Sequence, residues 1–556
     1  MSPTGNHVTV TIEGREIRVE PGTTVAEALA AHRIDGRPGD PVAVAVVNGL
    51  RTTVHEPLWG GETVGLMRWR HPKTHSTIVR TLVAVLAEAA HATFPDHPLV
   101  VEFAHGGGFC CRLEGRDVTT ADLDALRAAM RRLRDADREI VPQVYGQRQL
   151  LRRVQELPHD RSRSAARHLY RGGDRIYQVE GGTLLFHGLH LPRTGLIGAF
   201  DLLELPPGFL LVPCRPGAPD TLAAPAVQPP LLEAMRRNAG WAAAQGMADL
   251  GTVNRLVARG RAKELVRVAE ARHEQELMAI ARRVADLPAT GRLVLLAGPS
   301  SSGKTTTAKR LALHLRVLGL TPFALSLDDY FVDRERTPRD EKGDYDFETV
   351  EALDLDTLND HLVRLLAGES VRTLRYDFVT GRSSEREEPV TLPRGAPLIV
   401  EGLHGLHPRV GSRVAADQAL RVYVSAMGHP GLDSFSFVPP HLVRLYRRIV
   451  RDSQFRGYTA SETLRRWPKV RAGELKHIYP HQGRADVYLD SWLPYELGVL
   501  KLWAEPRLAA VDADDPAYGP ARTLHDLLGL ILPLDARLVP PTSILREFIG
   551  ESGFSY

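Results

Sequence analysis

Lysine is scarce in this 556-residue chain, with eight lysines against 62 arginines among its 70 basic residues. Cysteine is scarcer still: there are three, and two of them, Cys110 and Cys111, are adjacent. An odd count that includes a sequential pair too constrained to bridge easily excludes a disulfide framework and fits a reducing compartment. No apolar run is long enough to cross a bilayer, and the N-terminus opens on polar residues rather than on a basic segment followed by an apolar one. A cytoplasmic protein with no membrane partner is the expectation. Net charge is also small, +3 at pH 7, which excludes a general nucleic-acid coat and confines any basic site to a local patch. What is present, 43% apolar and 25% charged residues, describes an ordinary soluble globular chain. Its length calls for roughly three or four domains.

In residues 1–72, Val8, Val10 and Ile12 alternate with polar residues, Glu13-Gly14 offers a turn, and Ile17 and Val19 resume the alternation, which predicts a β-hairpin. Thr24-Val25-Ala26-Glu27 has the spacing of a capping box at the head of a short helix. The run Val42 to Val47, an Asn48-Gly49 turn, Val54, and the pair Val64 and Leu66 complete a strand, strand, helix, strand, strand module. On Glu20-Pro21-Gly22-Thr23-Thr24-Val25 and Val46-Val47-Asn48-Gly49 the segment resembles a TGS domain, the β-grasp module of threonyl-tRNA synthetases and of some GTPases and stringent-response enzymes. That resemblance implies a capacity for RNA binding.

Residues 73–222 predict an α+β domain: a helix from Ser76 to Ala92, a strand Val100 to Phe103, a turn Gly106 to Phe109, and a helix with Leu123, Leu126, Met130 and Leu133 on one face. Its order, and the stretch Phe186-His187-Gly188-Leu189-His190-Leu191-Pro192-Arg193-Thr194-Gly195, resemble the second additional (editing) domain of threonyl-tRNA synthetases. Editing domains of that family use His-x-x-x-His and a later Cys-x-x-x-His. Here His75 and His190 match, but the other two positions hold Val79 and Phe186. The alternative pair His71 and His75 encloses Pro72, which works against a shared helical face. With two of four ligands gone, bound zinc is not expected, and the domain is expected to serve binding, regulation or assembly. A Pro-rich segment from Pro213 to Pro230 closes it. Residues 223–288 read as a helical connector, with Leu256, Val257, Leu265, Val268, Leu277, Ile280 and Val284 at helical spacing. A helix packed on the domain that follows fits the same pattern.

From residue 289 onward the pattern changes to short apolar runs between helical ones: Leu293 to Ala297, Phe323 to Leu327, Leu398 to Val400, Leu420 to Val424 and Val487 to Leu489. This predicts an α/β domain with a parallel sheet and helices on both faces. The first run leads into Gly298-Pro299-Ser300-Ser301-Ser302-Gly303-Lys304-Thr305, followed by Thr306 and a helix marked by Leu311, Leu315 and Leu318. In such a loop backbone N–H groups face phosphate oxygens, the lysine reaches the β- and γ-phosphates, and the threonine hydroxyl can hold Mg²⁺. A lysine at this position, in a chain that otherwise uses arginine, argues against a mere Gly-Ser turn. The expected cofactors are therefore ATP and Mg²⁺.

Asp328 ends the second run, where an open parallel sheet places its ligands, and is the candidate base for an attacking hydroxyl. Asp329 competes with it for that role. Glu401 closes the third run at a position suited to Mg²⁺ through water. Arg444, Arg447, Arg448 and Arg451 fall at i, i+3, i+4 and i+7, a basic stripe on one helix face. Arg456-Gly457 follows and could close over a transferring phosphoryl group.

Together these segments resemble the uridine kinase and phosphoribulokinase family from Arg292 to about Leu500. The resemblance maps the family's catalytic aspartate onto Asp328 in Leu327-Asp328-Asp329-Tyr330-Phe331, with Tyr330 beside the substrate. It maps the aspartate that holds ribose hydroxyls onto Asp346 in Tyr345-Asp346, and the tyrosine beside the base onto Tyr376 in Tyr376-Asp377-Phe378. Phosphate-binding lid arginines fall on Arg448, Arg451 and Arg456. Two departures stand out: Val379-Thr380-Gly381-Arg382 lacks the histidine that helps uridine kinases recognise the pyrimidine, and Tyr458 replaces the lid's second arginine after Arg-Gly. The resemblance implies an ATP-dependent kinase for the 5′-hydroxyl of a nucleoside. A phosphorylated sugar as acceptor, or an RNA-responsive ATP-binding regulator with weak turnover, are the alternatives, and a homo-oligomer is compatible with the sequence. The chain as a whole, with its ending Ser543 to Gly550, resembles bacterial nucleoside kinases that carry an N-terminal TGS and synthetase-like region.

Overall fold

The computed structural model describes residues 7–34, 37–155, 160–170, 175–179, 183–185, 188–341 and 343–556. Phe186 and His187 of the synthetase-like stretch lie outside the described residues.

The hairpin expected at the N-terminus forms, with Val8–Ile12 paired antiparallel to Arg15–Val19. Both halves of the capping box are made: Glu27 N donates to Thr24 Oγ1 at 3.3 Å and Thr24 N to Glu27 Oε2 at 2.8 Å. Asn48 and Gly49 both take positive φ, 49° and 79°, as a tight hairpin turn requires. The turn returns the chain as Leu50–Thr52, one strand more than the sequence pattern indicated. The result is a five-stranded mixed sheet in which Val8–Ile12 pairs parallel to Thr63–Arg68.

The next layer is a four-stranded antiparallel sheet, in the order Asp201–Leu205, Gly208–Val212, Gly108–Leu113, Leu99–His105. Helices His75–Thr93 and Thr120–Asp135 bury Leu82, Leu86, Leu123, Leu126 and Met130 against it. The Pro-rich stretch is more ordered than its composition indicates. It forms a hairpin, Cys214–Arg215 with Ala218–Leu222, and then starts a helix, Pro229–Ala244, whose first residue is a proline. Proline suits that position because the N–H it lacks has no intrahelical partner there.

The expected connector is a helix pair, Leu250–Ala258 and Ala262–Ala285, and the second helix is packed on the following sheet. Its Leu277, Ile280 and Val284 share a core with Val294, Leu296 and Leu311. A larger core joins Leu150, Leu169 and Ile176 to Leu265, Tyr446, Leu497 and Phe548. Apolar packing therefore runs without a break from the middle of the chain into its C-terminal helices.

The C-terminal sheet is wholly parallel: β1 (Leu293–Ala297), β2 (Phe323–Ser326), β3 (Leu398–Gly402), β4 (Ala419–Ser425) and β5 (Val487–Asp490), in the order β2-β3-β1-β4-β5. Every residue of β1 is buried, as expected of a central strand covered on both faces. Three helices matter below: α1 (Lys304–Val317) after β1, α2 (Pro440–Phe455) after β4, and α3 (Glu496–Ala509) after β5.

The arginine stripe on α2 is not a solvated face. Arg447 is fully buried and pairs with Glu496 of α3, Nε to Oε2 at 2.6 Å and Nη2 to Oε1 at 3.0 Å. Arg444 is equally buried, and its Nη2 donates to Glu474 Oε2 at 2.8 Å. Removing one partner of such a pair leaves an uncompensated charge in the interior. Glu496→Ala is therefore expected to cost about 3–5 kcal/mol in chemical denaturation; a loss below about 1 kcal/mol would mean that solvent reaches Arg447.

Candidate active site

β1 ends at Ala297, and the loop from Gly298 to Gly303 turns the chain into α1. Gly298 lies so close to β4 that a Cβ would sit 1.9 Å from the Val424 carbonyl oxygen. Gly303 has φ 87° and faces Ile544, whose Cγ2 would lie 2.5 Å from a Cβ. No side chain fits at either position. A loop that turns its N–H groups toward phosphate turns carbonyls away from it, and buried carbonyls need donors. Arg444 Nη1 donates to Ser300 O at 2.9 Å, and Arg447 Nη1 lies 3.4 Å from Ser301 O and 3.5 Å from Ser302 O.

A cavity of about 740 Å³ opens beside the loop, walled by the ends of β2 and β3, the last turns of α2 and the chain's final residues. Ser300, Ser301, Ser302, Gly303, Lys304 and Thr305 line one side. Asp328 and Glu401 stand beside them, at the ends of β2 and β3. Arg448, Arg451 and Arg456 line the cavity as well. Gly298 and Pro299 lie behind the loop, where the Pro299 carbonyl accepts from Lys304 Nζ at 3.2 Å.

Asp328, Glu348 and Glu401 are among the acids that line this cavity. Burial pushes the Glu401 carboxyl up to about 7, helped by Asp328 and Glu547 and opposed by Lys304 and by the Thr305 hydroxyl, which donates to Glu401 Oε1 at 3.1 Å. Asp328 is exposed to the cavity. The surrounding protein thins its hydration and raises its pKa, Lys304 opposes the rise, Asp329 adds to it, and Arg456 opposes it. Asp329, the competing base, accepts instead from Arg386 Nη2 at 2.9 Å. Three of the cavity's cations share one carboxylate: Asp452 lies 3.2 Å from Arg448, 2.9 Å from Arg451 and 3.8 Å from Arg456. Arg448 also donates to the Ser300 hydroxyl at 2.8 Å, which ties the arginine wall to the loop.

Several expected substrate contacts are not brought to this cavity. Tyr330 is fully buried, with its hydroxyl 2.9 Å from His361 Nδ1, so it belongs to the core. Tyr376 is 5% exposed and packs edge-on against Phe331 and Phe378, at ring-centroid distances of 5.5 and 5.0 Å. Asp346 accepts from the Glu348 N–H at 3.1 Å and does not line the cavity. Glu348 does line it, with its carboxyl pushed up to about 7 by burial and drawn back by Arg448. The sequence offered one signal for Glu348: Phe347-Glu348 repeats, two residues on, the aromatic-acid step of Tyr345-Asp346.

Thr306, expected at the nucleotide, is engaged from within the chain. Its N–H and hydroxyl both donate to Glu547 Oε2, at 3.3 and 2.6 Å, and the Tyr556 hydroxyl lies 2.8 Å from its Oγ1. Lys309 Nζ stands 4.3 Å over the Tyr556 ring. The contacts of Thr306 join residues 241 and 250 positions apart, beyond the reach of any local pattern.

Thr305 Oγ1 and Glu401 Oε1 are hard oxygen donors that suit Mg²⁺. Among the described residues no three His, Cys, Asp or Glu form a cage that could hold a metal. A cation here would therefore complete its shell with phosphate oxygens and water, as Mg²⁺ does in phosphoryl-transfer sites.

The model of the Phosphoribulokinase / Uridine kinase family matches residues 293–493. A uridine kinase of Mycoplasma pneumoniae is 30% identical over 177 residues, which are 32% of this chain and 74% of the relative. The chain belongs to the phosphoribulokinase / uridine kinase family. A uridine kinase of Bacillus mycoides is 29% identical over 195 residues, 35% of this chain and 82% of its own length. The solved structure of a possible uridine kinase from Bacillus stearothermophilus aligns with a TM-score of 0.26 and 23% identity, over 39% of this chain and 98% of that one. The family match runs from β1 to just beyond β5. It takes in Lys304, Asp328, Glu401 and the arginines of α2, and stops short of Glu547 and Tyr556.

An acid whose pKa is raised on folding binds more protons folded than unfolded, so its contribution to stability is present below its unfolded pKa and is lost as pH rises through the folded value. For Glu401 that window runs from 4.5 to about 7. Glu401→Gln is accordingly expected to melt about 2 °C or more above the parent at pH 8 without ligand and close to it at pH 5. An equal effect at both pH values would show that the carboxyl is not raised.

Proposed function

We propose that this chain transfers the γ-phosphoryl group of ATP to a hydroxyl of a small sugar-bearing acceptor, the 5′-hydroxyl of a nucleoside. The observation that carries this reading is the convergence of Lys304, Thr305, Asp328 and Glu401 in one cavity, which Arg448, Arg451 and Arg456 also line. Each group has a use in phosphoryl transfer, where positioning and electrostatic stabilisation do most of the work. Membership of the family supports the reaction class, and the two relatives' being uridine kinases supports the nucleoside.

In this mechanism the loop N–H groups and Lys304 hold the β- and γ-phosphates. Thr305 and Glu401 would hold Mg²⁺, which would supply positive charge to offset that of the phosphates. The acceptor oxygen attacks the γ-phosphorus as its proton passes to the Asp328 carboxylate. One O–P bond forms, the bond to the β-bridging oxygen breaks, and ADP leaves. Its raised pKa makes Asp328 more basic than an ordinary carboxylate, which favours the transfer. Arg448, Arg451 and Arg456, under-neutralised by Asp452, stabilise the charge on the moving phosphoryl group. Glu348, rather than Asp346, accepts hydrogen bonds from the acceptor's other hydroxyls.

ADP release measured with Mg²⁺-ATP against a panel of nucleosides, sugar phosphates and tRNA tests the reading. Nucleoside-dependent turnover is expected to fall by at least about 100-fold in Lys304→Ala and Asp328→Asn. Turnover that survives Asp328→Asn removes the base assignment, and tight tRNA binding without acceptor-dependent turnover removes the kinase reading. Glu348→Gln is expected to raise the acceptor KM by about tenfold with a smaller effect on ATP, whereas Asp346→Asn leaves it within about twofold.

The Glu547 carboxylate occupies a helix-N-terminal donor that a nucleotide phosphate would use, and like charges cannot share it. ATP must therefore displace Glu547 from Thr306. Glu547→Gln is expected to lower the KM for ATP about threefold or more; a raised KM would instead make Glu547 part of the nucleotide's support.

A further inference from the structure

A second cavity, of about 390 Å³, lies where helix His75–Thr93, the turn leading into α2 and helix Tyr518–Gly529 meet. Its size is that of a small-molecule pocket, and its wall is mostly apolar, with Val79, Val83, Phe437, Leu442 and Leu524 among the residues that form it.

Among the polar residues of that wall is Arg80, which is half-buried there and faces the cavity. Among the described residues it has no hydrogen-bond or ion-pair partner. Loss of hydration, and after it the neighbouring cation Arg51, bring its pKa down to about 10, opposed by Tyr177. Arg51 is itself turned to the Thr77 hydroxyl, at 3.0 Å. The one carboxylate in the cavity wall, Asp433, accepts from the N–H groups of Phe435 and Ser436 at 2.8 and 2.7 Å. Burial lowers the pKa values of His75 and His441, the latter to about 3, so both rings are neutral and leave Arg80 as the cavity's fixed charge. The chain also makes room for this arginine: Gly188, at φ 85°, passes so close that a Cβ would lie 2.5 Å from Arg80 Nε.

A guanidinium that faces an apolar cavity without an anion is partly desolvated, and a ligand's carboxylate would offset that cost. The planar fork of an arginine matches a carboxylate through two parallel hydrogen bonds. We propose that this cavity is a binding site for a small organic acid, its carboxylate held by Arg80 and its apolar body against Val79, Val83 and Leu442. The site is separate from the phosphate loop and does not depend on the kinase reading.

Calorimetric titration of the full chain with 3-phenylpropionate, its neutral amide and inorganic phosphate tests the site. Saturable binding of the acid is expected, at least tenfold tighter than that of the amide or of phosphate alone, lost in Arg80→Gln and retained in Lys304→Ala. Ser76→Glu places a carboxylate one helical turn before Arg80, on the wall of the same cavity. It fills the anion's place without removing a buried group, so it keeps the test sound if Arg80→Gln fails to fold. The acid is expected to bind at least tenfold more weakly to this variant. The proposal is overturned if none of the three probes binds, if the amide or phosphate binds as well as the acid, if Lys304→Ala abolishes binding, or if the acid binds Ser76→Glu or folded Arg80→Gln as tightly as the parent.

Discussion

The phosphate loop can turn its N–H groups toward a ligand only if something receives the carbonyls that turn the other way. Two buried guanidiniums of α2 do this, Arg444 on Ser300 and Arg447 near Ser301 and Ser302. Each is neutralised by a buried carboxylate, Glu474 or Glu496. Such pairs return little net stability because desolvation offsets the Coulomb attraction. Their value here is positional. They bind the loop to α2, and α2 also carries Arg448 and Arg451, so the loop and these arginines are set by one rigid helix.

That coupling explains how the cavity can hold opposed charges without ligand. Glu401, Glu348 and Asp328 line it, each with a raised pKa. Arg448, Arg451 and Arg456 line it too, with a single Asp452 among them. Neither set is satisfied by the chain alone. A divalent cation bound by polyphosphate would answer both: its charge suits the acids, and the phosphate oxygens suit the arginines. Proton release should accompany such binding, since Glu401 and Glu348 are held near neutrality until a cation arrives.

How far the sequence foretold this depends on how local each signal was. The loop was legible because strand, glycines, lysine and helix follow one another within a few turns, and Asp328 and Glu401 were legible because a parallel sheet gathers its ligands at strand ends. The arginine stripe was half legible. Helical spacing placed Arg444, Arg447, Arg448 and Arg451 on one face, but which pair meets carbonyls and which meets the cavity depends on how α2 crosses the sheet. Tyr330 and Asp346 lie in short irregular turns where no period fixes the direction of a side chain. There a slip of two residues separates Asp346, bonded to the backbone, from Glu348, at the cavity. In the N-terminal half, the hairpin, the helix capping box and the Asn48-Gly49 turn were each carried by residues close together in sequence. The pairing of Val8–Ile12 with Thr63–Arg68 was not.

The least legible part is the chain's end, and it bears directly on the site. Glu547 reaches Thr306, Tyr556 reaches both Thr306 and Lys309, and Ile544 closes on Gly303. None of these lies in the stretch shared with the family. A carboxylate on the N-terminal donors of α1 gains what a phosphate would gain there, the helix dipole and unpaired N–H groups. It carries less charge and forms fewer bonds than a polyphosphate with its cation, so it is suited to being displaced. Because Arg546, Gly550 and Tyr556 also line the cavity, the segment that Glu547 anchors is at once a competitor for the loop and part of the wall a nucleotide would meet.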